Sequence, residues 1–125
     1  MPSPKTKPKR TIQIGGLLQK EISELLVRKL KDPRLEMVTI TAVDVSPDLK
    51  LARVYFSRFG TPVEIEKSKE GLQSAAGFLR RELGHRMELR RIPELEFFHD
   101  TSFEYGDRIE SILKNLFPVK ETEES

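Results

Sequence analysis

Between Phe78 and Arg91 the chain carries Arg80, Arg81, Arg86, Arg90 and Arg91 and not one lysine. Arginine presents a planar fork of donors that fits phosphate oxygens in pairs and can stack on a base; lysine offers only a point charge. A run biased this way suits recognition of a polyanion, with an exposed, solubilising face as the plain alternative. A second basic block, Lys5, Lys7, Lys9 and Arg10, sits among Pro2, Pro4 and Pro8. Residues 1–10 offer too little apolar surface to offset the entropy of ordering, so they read as a flexible basic arm or as a frayed terminus. The acids gather elsewhere, in residues 94–110 and in Glu121, Glu123 and Glu124 of an acidic tail over 118–125 that reads as mobile. A net charge of only +2 therefore hides the asymmetry expected of a polyanion binder.

Other chemistries find little support. There is no cysteine, and His85 and His99 are the only histidines, so a disulfide framework or a thiolate or histidine-rich metal site is not expected. Neither a P-loop nor a Gly-x-Ser-x-Gly elbow is present. His99 falls in or beside a strand and reads as packed, as do Tyr55 and Tyr105. The expectation is a non-enzyme with no catalytic residue and no cofactor. No stretch approaches the ~20 apolar residues that span a bilayer, and no apolar run follows the basic N-terminus. A soluble, intracellular protein without a membrane partner is expected.

The elements that would position these arginines follow from periodicity. Ile14, Leu17, Leu18, Ile22, Leu25, Leu26 and Leu30 form one stripe of a helix that begins near Ile12 and is stopped by Asp32-Pro33. Met37 to Val45 is rich in β-branched residues, Ser46-Pro47-Asp48 turns, and Leu51 to Ser57 alternates with Ala52, Val54 and Phe56 on one face: an antiparallel hairpin. After the loop Gly60-Thr61-Pro62, two helical segments are predicted, roughly 63–75 and 78–88, with Ile65, Leu72 and Ala76 and then Leu79, Leu83 and Met87 inward. Residues 94–98 alternate as a third strand with Leu95 and Phe97 inward. A last helix over about 103–116 is marked by Ile109, Ile112, Leu113 and Leu116. One domain over 11–117 is expected, with helices covering the apolar face of a small sheet.

The junction Ala75-Ala76-Gly77 joins these lines. A glycine between helical stretches costs about 1 kcal/mol relative to alanine, and small residues let helices bend or a backbone approach. Helix packing, or an ordinary break, is the competing explanation. Phe78, Arg80 and Arg81 would then occupy the first turn of the next helix, where free N–H groups and the dipole favour a phosphate.

The order helix-strand-strand-helix-helix-strand is that of a type II KH domain. More narrowly, the chain resembles the ribosome-binding factor A family. The resembling stretches are Asp32-Pro33-Arg34, Val45-Ser46-Pro47-Asp48-Leu49, Ala52-Arg53-Val54-Tyr55, Ala75-Ala76-Gly77-Phe78-Leu79-Arg80, Leu89-Arg90-Arg91-Ile92-Pro93-Glu94-Leu95 and Asp100-Thr101-Ser102, in order across residues 10–116. The resemblance implies an α+β, type II KH-like fold with a three-stranded mixed sheet covered by helices on one face, a kinked helix pair, and a short C-terminal helix. It implies a monomeric bacterial cytoplasmic factor that binds the free small (30S) ribosomal subunit and its 16S rRNA, with ribosomal proteins as candidate co-partners, and assists late maturation, rRNA processing and growth in the cold. Ordinary KH modules clamp nucleotides with Gly-x-x-Gly. This chain has none, and Ala75-Ala76-Gly77 corresponds to the family's alanine-x-glycine kink. A generic single-stranded RNA-binding KH protein, or an adaptor using the first helix or the edge of the third strand without RNA contact, remain the alternatives; steep salt dependence would mark the RNA binder.

Overall fold

The structure is a computed structural model that describes residues 8–102. Helix α1 spans Lys9–Arg28, a 3-10 turn spans Pro33–Leu35, and strands β1 and β2 span Thr39–Val45 and Leu51–Ser57. Helix α2 spans Pro62–Arg86, and strand β3 spans Glu94–His99. The expected C-terminal helix, the acidic tail, and Lys5 and Lys7 of the arm lie outside the described residues.

The α+β architecture is the expected one. The sheet runs β1-β2-β3, with β1 and β2 antiparallel and β2 and β3 parallel. The hairpin turn is built by Ser46, whose carbonyl accepts from the Leu49 N–H at 2.8 Å, and by Asp48, whose carboxylate accepts from the Lys50 N–H at 3.0 Å. Parallel pairing requires a long crossover, and α2 supplies it. On the central strand Ala52, Val54 and Phe56 are fully buried, as their alternation predicts. Leu95 and Phe97 of β3 point the same way, and both helices press their apolar stripes onto this face.

Helix α1 starts at Lys9, so Lys9 and Arg10 are helical rather than part of an arm. Its buried line is Thr11, Ile14, Gly15, Leu18, Ile22, Leu25 and Leu26. Leu17, predicted to be inward, is 51% exposed; at about 100° per residue it falls a quarter-turn off Leu18, the centre of the stripe. Gly15 takes the inward place, and a Cβ there would stand 2.7 Å from the Val43 carbonyl oxygen. The helix backbone thus lies directly against β1, an approach only glycine permits.

The largest departure is α2, a single continuous helix through Ala75-Ala76-Gly77 rather than two segments. Its start is fixed by a capping box: the Thr61 hydroxyl accepts from the Glu64 N–H at 3.1 Å, and the Glu64 carboxylate accepts from the Thr61 N–H at 2.9 Å. Pro62 in the first turn suits the site. Leu72 and Ala75 before Gly77, and Leu79 and Leu83 after it, are all buried against the sheet. That shared anchoring outweighs the ~1 kcal/mol glycine penalty and carries the helix across the position. Ala75 is buried, and the predicted Ala76 is partly buried and packs against the same core.

Candidate nucleic-acid interface

Because α2 is unbroken, Phe78, Arg80 and Arg81 sit in its interior, where backbone N–H groups already bond within the helix. The expected phosphate site at a second helix start is therefore absent. What remains is the outer face of α2. Ser74, Gly77, Arg81, Gly84 and His85 are exposed there, and their spacing keeps them on one side of the helix. Beyond its own helix backbone, a Cβ at Gly77 would meet no heavy atom within 4 Å. The glycines leave a low, smooth stretch around Arg81.

The five arginines divide by what they touch. The Arg80 guanidinium is half-buried and turns inward: Nε donates to the Pro93 carbonyl at 3.1 Å and Nη2 to the Ile92 carbonyl at 2.9 Å. It ties α2 to the segment entering β3. Arg86 reaches α1, donating to Glu21 at 2.8 Å and Glu24 at 3.2 Å. These carboxylates, Glu21 foremost, raise the Arg86 pKa further. Both were expected to face a polyanion, and both instead hold the fold, since each finds carbonyl or carboxylate oxygens of the protein within reach. Arg81, Arg90 and Arg91 are exposed and form no hydrogen bond or ion pair among the described residues.

Lys9 and Arg10 are exposed in the first turn of α1. The N-cap is Pro8, which offers no side-chain oxygen, and no acid lies in that turn. Two cations at the positive end of a helix dipole oppose it, an arrangement that an anionic partner would relieve. The signal for the smooth face was present in the sequence: Ser74, Gly77, Arg81 and Gly84 recur at helical spacing. It becomes legible only when the segment is read as one helix, and Gly84 and His85 were missed for that reason.

Among the described residues no cluster of His, Asp or Glu is placed to hold a metal ion. No helix among them is long and apolar enough to cross a membrane.

A three-stranded mixed sheet with helices on one face, a β2-α2-β3 crossover and an arginine-bearing outer helix defines a small α+β protein of KH-like topology. A profile of the ribosome-binding factor A family matches residues 10–113. The ribosome-binding factor A of Desulfatibacillum aliphaticivorans is 47% identical over 115 residues, covering 92% of this chain and 94% of that protein. The crystal structure of ribosome-binding factor A from Thermus thermophilus superposes with a TM-score of 0.65 at 30% identity, covering 71% of this chain and 93% of that one. A Thermus thermophilus ribosome-binding factor A homology model fitted into a cryo-EM map of a 30S complex gives a TM-score of 0.61 at 30% identity, over 73% of this chain and 96% of that one. The chain belongs to the ribosome-binding factor A family.

Proposed function

We propose that the protein binds the small ribosomal subunit through 16S rRNA and assists its late maturation in the bacterial cytoplasm, including rRNA processing and growth in the cold. It acts as a monomer and without catalysis. Family membership supports this reading, as does the relative fitted into a map of a 30S complex. The observation that carries the RNA contact is the set of three exposed arginines, Arg81, Arg90 and Arg91, that no protein group engages among the described residues. Beside them, the smooth outer face of α2 lets a sugar-phosphate backbone come close. Lys9 and Arg10, with Lys5 and Lys7 ahead of them, supply further charge; Arg80 and Arg86 act by holding α2 in place. Such a protein can favour one rRNA conformation only by as much as it binds that state more tightly than the others.

Co-sedimentation with purified small subunits tests the assignment. The triple variant Arg81→Glu, Arg90→Glu, Arg91→Glu should retain its circular dichroism and urea midpoint yet fail to pellet with the subunit. Three phosphate contacts predict a log–log salt slope of roughly −2 to −3 from these residues alone. Undiminished co-sedimentation of the folded triple variant would remove the site.

A further inference from the structure

The two helices meet along a seam whose carboxylates are already engaged. Over residues 9–31 the only acids are Glu21 and Glu24, against Lys9, Arg10, Lys20, Arg28, Lys29 and Lys31. Both acids face α2 and accept from Arg86, at 2.8 and 3.2 Å. Glu82 of α2 lies 4.0 Å from the Lys29 Nζ. These contacts set the helices antiparallel, with the end of α1 level with the turn of α2 that carries Glu82.

Three cations of the seam have no such partner. Lys20, Glu24 and Arg28 recur at four-residue intervals and form one ridge of α1, and the Glu24 contact fixes that ridge beside α2. Lys20 and Arg28 are exposed and form no hydrogen bond or ion pair among the described residues. Arg81 precedes Glu82 as Arg28 precedes Lys29, so the Lys29–Glu82 contact brings the two arginines to one level, on opposite sides of the seam. The seam thus holds five cations, Lys20, Arg28, Lys29, Arg81 and Arg86, against the carboxylates of Glu21, Glu24 and Glu82. The excess belongs to Lys20, Arg28 and Arg81. A polyanion laid along the seam relieves their mutual repulsion, while Arg86 and Lys29 screen the three carboxylates from it.

We propose that the RNA backbone runs along the seam between α1 and α2, with Lys20 and Arg28 on one side and Arg81 on the other. The inference rests on the rRNA-binding reading above and extends its interface along α1, a helix which that reading uses only at its N-terminal end. Lys20 and Arg28 stand about 12 Å apart along the helix axis, so they engage separate phosphates. Arg28 and Arg81 grip the strand from both sides at one level.

Co-sedimentation of the full-length protein with small subunits, titrated at a series of salt concentrations, tests this. Lys20→Gln with Arg28→Gln removes both charges and keeps good helix formers at exposed positions, so circular dichroism and the urea midpoint should match the parent. Affinity should fall about tenfold or more, and the log–log salt slope should flatten by roughly 1.4–1.8, the loss of two phosphate contacts. Lys20→Arg with Arg28→Lys keeps both charges and should preserve the parental slope. A glutamine variant with parental affinity and slope, measured beside an Arg81→Glu, Arg90→Glu, Arg91→Glu protein that no longer pellets, would overturn the seam and leave the RNA-binding reading standing. If both variants pellet like the parent, the two fall together. Weaker binding at the parental slope would also overturn the proposal, assigning the seam to a protein surface of the subunit.

Discussion

Replacing Gly77 by alanine should make the protein more stable. Within a helix, alanine is favoured over glycine by about 1 kcal/mol. The new methyl group meets nothing within 4 Å beyond its own helix backbone, so no packing cost offsets the gain. For a domain of this size that is a rise in Tm of about 4 °C. Gly15→Ala serves as the matched comparison, since it brings the same propensity gain in the interior of α1. There the Cβ would stand 2.7 Å from the Val43 carbonyl oxygen, and backbone cannot swing aside. Overpacking of that kind costs about 1–3 kcal/mol, enough to cancel the gain or reverse it. The gap between the variants, again about 1–3 kcal/mol, isolates the contact of α1 with β1. Urea denaturation followed by circular dichroism, with thermal melts alongside, measures both. A Gly77→Ala protein no more stable than the parent would mean that the helix does not run through this position in solution, and the continuous α2 would have to be given up.

Other consequences follow from the same geometry. Arg80→Ala should cost about 1–3 kcal/mol, because two charge-assisted bonds to the Ile92 and Pro93 carbonyls are lost together. Arg80→Lys should recover less than half of that, since a single ammonium cannot reproduce the fork; full recovery in urea melts would contradict the assignment. Stability should fall in acid. Hydrogen bonds from Ser102 and Thr41 hold the Asp100 carboxyl below its ordinary pKa, as Arg34 does for Asp32, Ser46 for Asp48 and the Thr61 N–H for Glu64. The unfolded chain therefore takes up protons first as the pH drops, so this stabilisation is complete above the unfolded values near ~4 and is lost as pH passes down through the folded ones. The urea midpoint should be lower at pH 3 than at pH 7, and Asp100→Asn should flatten that difference; a pH-independent midpoint would count against the carboxylate network.

Strands and core were legible because a half-buried strand advertises itself by alternation, and Ala52, Val54 and Phe56 could face only one way. Helix α1 was legible for the equivalent reason at a period of 3.6, with Leu17 misplaced because it lies at the margin of its stripe. What local reasoning could not supply was the outcome at Gly77. A helix penalty is a local quantity, whereas the burial of Leu72, Ala75, Leu79 and Leu83 that overrides it depends on where the sheet lies. The capping box at Thr61 and Glu64 was present in the residues but was absorbed into a loop, since proline and glycine flank it. Gly15 shows the converse: an unremarkable glycine in a helical run proves to be the position where two backbones meet.

Composition had the same limit at the site. A block of arginines reports that a charged fork is available, but not what the fork reaches. Arg80 looks inward because the carbonyls of Ile92 and Pro93 arrive beside it only once β3 has joined the sheet; Arg86 is engaged because α1 presents Glu21 and Glu24 one helical turn apart. The arginines at 81, 90 and 91 differ from these in surroundings rather than in kind. A cation with oxygen partners already in place must exchange them for phosphate, gaining little, whereas an exposed one gives up only water and counterions. The division therefore predicts opposite consequences of identical substitutions: at Arg80 or Arg86 the loss should fall first on the fold, and at Arg81, Arg90 or Arg91 it should fall on binding of the proposed rRNA partner.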